Sequence, residues 1–337
     1  MKKLMQTKAQ HSGRRRLLAT AAILGLARSV QAQTPTPRPL IGFLNSSTPG
    51  PFAHLVDGFR RGLTEMGFAE KRNIDIEYRW AEGAYERLPA LAAELLQRNV
   101  SVLVATGGEF PALAAKRATS TVPIVFAIGD DPVRVGLVES LGRPGGNLTG
   151  VTQFTSQLES KRLGLLIEVA PAAKMVGVLV NPRNVGAEGQ IEELTAAARS
   201  RGLRLEIARA ETAADFEGAL GLLARSGVQA LQVAADPYFN SNRQQLIAQV
   251  SALGVPAIYE FREFVTAGGL MSYGNSLAEG YRQVGIYTGR ILRGVRTTDL
   301  PVLQPTRFEL VINLGVAARL GIAVPQAVLA RADELIE

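Results

Sequence analysis

A chain of 337 residues without a cysteine is long for one domain, and it can build neither a disulfide framework nor a thiolate metal site or nucleophile. Its net charge of +7 would suggest a nucleic-acid partner if the working domain carried it. Lys2, Lys3, Lys8, Arg14, Arg15, Arg16 and Arg28 already supply seven positive charges, and no acidic residue precedes Asp57, so residues 33–337 are formally neutral and no nucleic-acid partner is expected.

Those first residues read as an export signal. A basic leader precedes the apolar run "LLATAAILGL" at 17–26, and Val30-Gln31-Ala32 supplies a small-residue cleavage pattern with the cut after Ala32. The run is shorter than the roughly 20 residues that span a bilayer. "RRRLL" at 14–18 resembles a twin-arginine signal, with Gly13 where Ser or Thr is usual, and an ordinary secretory signal is the alternative. The expected product is a periplasmic protein, and without a cysteine it is not a lipoprotein. Residues 33–39, "QTPTPRP", read as a flexible leader.

From residue 40 short apolar runs alternate with amphipathic ones. Strands are predicted at 40–45, 73–80, 100–106 and 122–128, with helices at 52–66, 88–97 and 112–118. The pattern then restarts. Helices are predicted from a Ser156-to-Glu159 capping box to about 169, at 187–200, from Thr212-Ala-Ala-Asp215 and at 242–252; strands are predicted at 175–180, 203–208, 228–234 and 255–261. Ser or Thr followed three residues later by an acidic residue satisfies free N–H groups at a helix start. Strands alternating with helices give parallel sheets.

The two series mirror each other: "IGFLN" answers "VGVLVN", and "TVPIVFAIGD" answers "GVPAIYEFRE". The fold class is α/β, two doubly wound parallel-sheet lobes with a ligand cleft between them. The expected division is an N-terminal lobe at 40–150, a C-terminal lobe at 151–270, and a segment at 271–337 shared between them. Extended stretches at 146–152, 268–274 and 305–325 fall outside either series and suggest three passages between lobes, a hinge that lets the cleft close. "GGLMSYG" at 268–274 is read as a crossover strand with glycine hinges, and Ser276 to Glu279 as a capping box opening a helix that carries Tyr281, Val284, Tyr287 and Ile291.

Most chemistry fails on inventory. His54 is the one histidine after the leader and reads as solvent-facing. No G-x-S-x-G elbow, zinc ligand set or P-loop occurs. Adjacent Asp130 and Asp131 make a poor acid/base pair. What remains is a cleft at the carboxyl ends of strands, where open α/β sheets bind ligands. Those ends are Asn45, Ser46, Ser47 and Thr48; Thr106, Gly107, Gly108 and Glu109; Asp130; Asn181; Asp236 and Tyr238; and Tyr259 and Glu260. Ser46 to Thr48 and Gly107-Gly108 precede helices whose free N–H groups could meet a carboxylate. Asp130, Asp236 and Glu260 could meet an ammonium group. Tyr238, Tyr259 and Tyr273 could stack on a flat or apolar side chain. Together they describe an amino-acid-like ligand, although each also has an ordinary structural use as cap, turn or core.

Four long stretches carry a resemblance: "PIVFAIGDDPVRVGLVESLGRPGGNLTGVT" at 123–152, "YEFREFVTAGGLMSYG" at 259–274, "YRQVGIYTGRILRG" at 281–294 and "LPVLQPTRFELVINL" at 300–314, continuing to "VLARADELIE". They resemble the solute-binding proteins of ATP-binding-cassette importers, in the subfamily linked to tryptophan and other aromatic amino acids. The resemblance implies a type I periplasmic-binding-protein fold with three interlobe crossings, no catalysis, no cofactor or metal, a monomer, and delivery of a small-molecule ligand to membrane permease subunits. It favours the loops at Asn45 to Thr48, Thr106 to Glu109 and Asp130, with Asp236 and Tyr273 opposite. The expected ligand is an amino acid with an aromatic or branched side chain. A sensory module docking on a receptor and an α/β enzyme acting on a small metabolite are the alternatives.

Overall fold

The computed structural model describes residues 38–337. The export signal at 1–32, its cleavage point and residues 33–37 of the leader lie outside the described residues. Of the leader's last two residues, Arg38 is tied down by Asp75 at 2.9 Å. Among the described residues no helix is long and apolar enough to cross a membrane.

The first sheet grows from apolar runs that can be buried on both faces. β1 (Leu40–Asn45) leads to α1 (Pro49–Glu65), β2 (Asp75–Trp80), α2 (Leu88–Gln97), β3 (Val102–Thr106), α3 (Glu109–Ala118), β4 (Ile124–Ile128) and β5 (Leu148–Thr152). The strands pair in parallel in the order β2-β1-β3-β4-β5. β3 and β4 are buried at every position, as unbroken Val, Ile, Leu and Ala runs require in a sheet covered on both faces. Pro49 opens α1, where its missing N–H is one the helix would leave unpaired.

The second sheet begins after α4 (Glu159–Val169). It takes β6 (Met175–Val180), α5 (Ala187–Ser200), β7 (Arg204–Arg209), α6 (Phe216–Arg225), β8 (Ala230–Val233), α7 (Pro237–Ser241), α8 (Arg243–Ala252), β9 (Ala257–Tyr259), α9 (Arg262–Thr266) and β10 (Met271–Gly274). The chain then goes back. α10 (Leu277–Leu292) packs on α1 and against β3, β4 and β5, and Leu303 bridges Val151 beside β5. Finally β11 (Glu309–Asn313), α11 (Leu314–Arg319), α12 (Gln326–Leu329) and β12 (Glu334–Ile336) complete the second sheet. Its order is β12-β11-β10-β9-β8-β6-β7, parallel except where β10 meets β11. The chain therefore passes between the sheets three times, at residues 153–158, 275–276 and 304–308.

Two local readings are corrected. β10 is not a crossover strand. It lies inside the second sheet, bonded to β9 on one side and β11 on the other, because Leu270 and Met271 are core residues. Its flanking glycines serve close packing. A Cβ at Gly269 would sit 2.8 Å from the Tyr259 ring, and one at Gly274 would collide with the Glu260 carbonyl. Nor does Glu159 turn back to cap α4. Its carboxylate is fully buried and accepts from the Ala235 N–H at 3.1 Å and from Gln232. The Thr212–Asp215 capping box is present. At α10 only half of one forms. Ser276 accepts from the Glu279 N–H at 3.3 Å, while the Glu279 carboxylate takes Arg282 and Gln283 instead.

Candidate functional site

The carboxyl ends of β3, β4, β8 and β9 converge on a cavity with about 570 Å³ of space between its atoms, open mouth included. The first lobe brings Phe52, Gly107, Gly108, Glu109, Gly129 and Asp130, with Leu277 and Tyr281 from α10. The second brings Asn184, Gln190, Asp236, Asn240, Glu260 and Phe261.

Four buried carboxylates line this space, and no Lys, Arg or His does among the described residues. Glu109 sits at the start of α3 and accepts the N–H groups of Gly129 and Asp130 at 3.0 and 2.9 Å. Burial nevertheless raises its pKa. Asp130 is paired with Arg134 and accepts the Asp131 N–H. Asp236 caps α7 by accepting from the Phe239 N–H at 3.0 Å, and it also accepts from Asn181 at 3.1 Å and Asn184 at 3.0 Å. Burial outweighs these donors and pushes Asp236 up to about 6. Glu260 accepts the Asp236 N–H at 3.3 Å. Burial raises its pKa well above the usual value, against the opposing charge of Arg162. Carboxyls held high by desolvation and by one another gain most from an arriving cation. Phe52, Ile128, Phe261, Leu277 and Tyr281 add apolar surface to the same lining.

Of the residues picked from the sequence, Gly107, Gly108, Glu109, Asp130, Asp236 and Glu260 line the cavity. Asn45 and Thr106 stand behind it: Asn45 donates to Thr106 at 2.8 Å and to the Tyr281 hydroxyl at 3.3 Å. Asn181 supports Asp236. Ser46, Ser47, Thr48 and Tyr238 border a separate small space with Gly83 and Tyr85. There Ser46 donates to the Gly107 carbonyl and Ser47 bonds Ser241 of the other lobe, so these hydroxyls do not face the main cavity. Tyr259 is core, 1% exposed and stacked on Phe264 at 4.9 Å. Successive strand residues point to opposite faces, and it is Glu260 that reaches the cavity. Tyr273 stacks on Phe308 at 6.1 Å, under Lys161, and does not line the cavity.

Phe52, Gln153, Asn184, Gln190, Asn240, Phe261, Leu277 and Tyr281 were not anticipated. Phe52 and Asn240 lie in the first turns of α1 and α7, which follow strand ends, so extending the strand-end rule into the first helical turn reaches them. Leu277 and Tyr281 come from a helix delivered by the second crossing and carry no local signal. His54 is not simply solvent-facing. It is half-exposed, but its Nε2 lies 3.2 Å from Oε1 of Glu263 across the lobes.

The lobes are in contact around the cavity. Arg183 reaches Glu86 at 3.4 Å and covers the Tyr85 ring, and Arg243 donates to the Pro51 carbonyl at 3.3 Å. Gly108 has φ +100° and ψ −168°, a region reserved for glycine. A Cβ there would lie 2.8 Å from Pro237 of the opposing lobe. Gly108→Ala is therefore expected to weaken ligand affinity by about tenfold or more and to leave the lobes wider apart by small-angle scattering. Unchanged affinity and radius would show that this approach is not needed for closure.

A family model described as ABC transporter substrate binding protein matches residues 48–336. The tyrosine-binding protein of Clostridioides difficile is 26% identical over 256 residues, 76% of this chain and 73% of that protein. Two solved structures superpose with a TM-score of 0.80 each. One is a conserved domain protein from Vibrio cholerae, 28% identical, covering 88% of this chain and 99% of that one. The other is an ABC domain in complex with L-Trp from Streptococcus pneumonia, 24% identical, covering 89% of this chain and 100% of that one. The fold is that of type I periplasmic binding proteins.

Proposed function

We infer the function from a premise: this chain belongs to the ABC transporter substrate-binding protein family, whose members bind solutes and are not enzymes. We propose that it captures an amino acid with an aromatic or branched side chain outside the cytoplasm, by closure of the two lobes, and hands it to membrane permease subunits of an importer. The observation that carries the ligand class is the pairing of four carboxylates with apolar surface in one cavity. The ammonium group lies among Glu109, Asp130, Asp236 and Glu260. The side chain rests on Phe52, Phe261, Leu277 and Tyr281. The carboxylate meets the amide groups at Gly107 and Gly108 where α3 starts. The bound tyrosine and tryptophan named for two relatives support the same class. The signal read at residues 1–32 supports export before binding.

Calorimetry on the exported chain with L-tyrosine, L-tryptophan, L-leucine and a sugar panel tests this. Binding of a sugar or a metal ion with no amino acid would sink it. A pH series carries a further prediction. An ammonium group favours ionised Asp236, so affinity rises as pH increases through about 6 and levels above it. Below that value it falls, by at most about tenfold per pH unit for this one group. Asp236→Asn should lower affinity by about 1.5–3 kcal/mol and flatten the profile. A wild-type profile flat between about pH 5 and 8 would remove Asp236 from the ammonium site.

A further inference from the structure

Gln153 lines a second space as well as the ligand cavity, and the two spaces share no other residue. The second is a groove with about 1130 Å³ between its atoms. Every crossing contributes to it: Gln153 from the first, Asn275 and Ser276 from the second, and Gln304 to Arg307 from the third. Gln153 and Asn275 are 3% and 5% exposed, and the Asn275 Nδ2 donates to Gln153 Oε1. That bond leaves Gln153 Nε2 and Asn275 Oδ1 buried without partners, and Glu309 Oε1 in the same groove is a third such atom. Gly280, also in the lining, provides the room: a Cβ there would collide with Gln153 Nε2. Buried polar atoms in native proteins are nearly always satisfied, so a convergence of unsatisfied ones needs an explanation.

We propose that this hinge groove is a second ligand site, for a small neutral polyhydroxylated solute. The unpartnered atoms are one donor and two acceptors, and a hydroxyl is both. Four carboxamides line the groove, from Gln153, Asn275, Gln283 and Gln304. Of its two carboxylates, Glu279 is engaged by Arg282 and Gln283, and Glu309 feels the opposing charge of Arg262. Among the described residues no aromatic ring lines the groove, so a flat ligand has nothing to stack on. Such a solute touches all three passages between the lobes, a position unlike that of the cavity ligand.

Saturation-transfer NMR with erythritol at millimolar concentration, on the exported chain, tests the proposal. Thr306 is exposed on the groove rim, so Thr306→Trp fills the groove without touching the core. Thermal unfolding confirms that the variant folds. The expected result is transfer to erythritol in the wild type and its loss in Thr306→Trp. No transfer in the wild type, or equal transfer in both proteins, overturns it. Neither result bears on amino-acid binding in the other cavity, which calorimetry reads separately.

Discussion

Arg162→Met is expected to destabilise the fold by about 3–5 kcal/mol, the usual cost of stranding a buried charge. Arg162 and Glu159 are both 0% exposed and meet at 2.7 Å. The guanidinium also donates to the Thr155 carbonyl at 2.6 Å, in the first crossing, and to the Tyr273 carbonyl at 3.2 Å, at the end of β10. Methionine matches much of its volume but leaves Glu159 charged in the core and two carbonyls without these donors. Glu159 is itself held by Ala235 and Gln232, so it cannot swing out to water. The double variant Arg162→Met with Glu159→Gln should recover part of the loss, because a carboxamide oxygen can still accept from the Ala235 N–H. Denaturant unfolding measures both. A single-variant loss below about 1 kcal/mol would mean that the pair is far less buried than described.

Gly62→Val is expected to cost about 3 kcal/mol, at the upper end for overpacking. A Cβ at Gly62 on α1 would collide with the Arg282 carbonyl on α10, and one at Gly285 on α10 with the Phe59 carbonyl on α1. The two helices thus meet backbone to backbone, and a carbonyl cannot be moved aside by a rotamer change. Relief requires the helices to separate, which carries Leu277 and Tyr281 away from the cavity wall. Ligand affinity should therefore fall along with stability. Gly218→Ala is the control. Gly218 is in α6 with nothing within 4 Å of an added Cβ, so it should be stabilised by about 0.5–1 kcal/mol. Equal unfolding midpoints for Gly62→Val and the wild type would contradict the close approach.

The strands of both series were legible because parallel strands buried on both faces must carry unbroken apolar runs. Residues 40–45 and 175–180 match β1 and β6 to the residue. β10 and β11 were not placed, since nothing local tells a strand in an antiparallel pair which sheet it completes. The strand-end rule named Glu109, Asp130, Asp236 and Glu260, which line one cavity, because it needs only the order of elements. It could not see the facing of Tyr259, which depends on register, nor that the hydroxyls of Ser46 and Ser47 are taken up in contacts with Gly107 and Ser241. Glu159 was read as the acidic end of a capping box, and nothing local singled out Arg162. Their partners, Ala235, Gln232 and Tyr273, lie far along the chain, and only the assembled lobe reveals them.

The pairing of α1 with α10 also governs how the molecule is made. Glu65 and Arg282, which join these helices at 2.5 Å, are 217 residues apart. During synthesis the amino-terminal lobe leaves the ribosome with its glycine-faced helix uncovered, and the whole run from β6 to β10 must follow before the covering helix exists. The other lobe waits longer still, for β11 and β12. Neither half can mature as an early, independent unit, and both close their cores only when the final stretch of polypeptide is available. Contacts of such long sequence separation slow folding and prolong the exposure of apolar surface in the nascent chain. Deleting the residues after β10 would accordingly unravel the amino-terminal lobe, although its sheet would keep every strand.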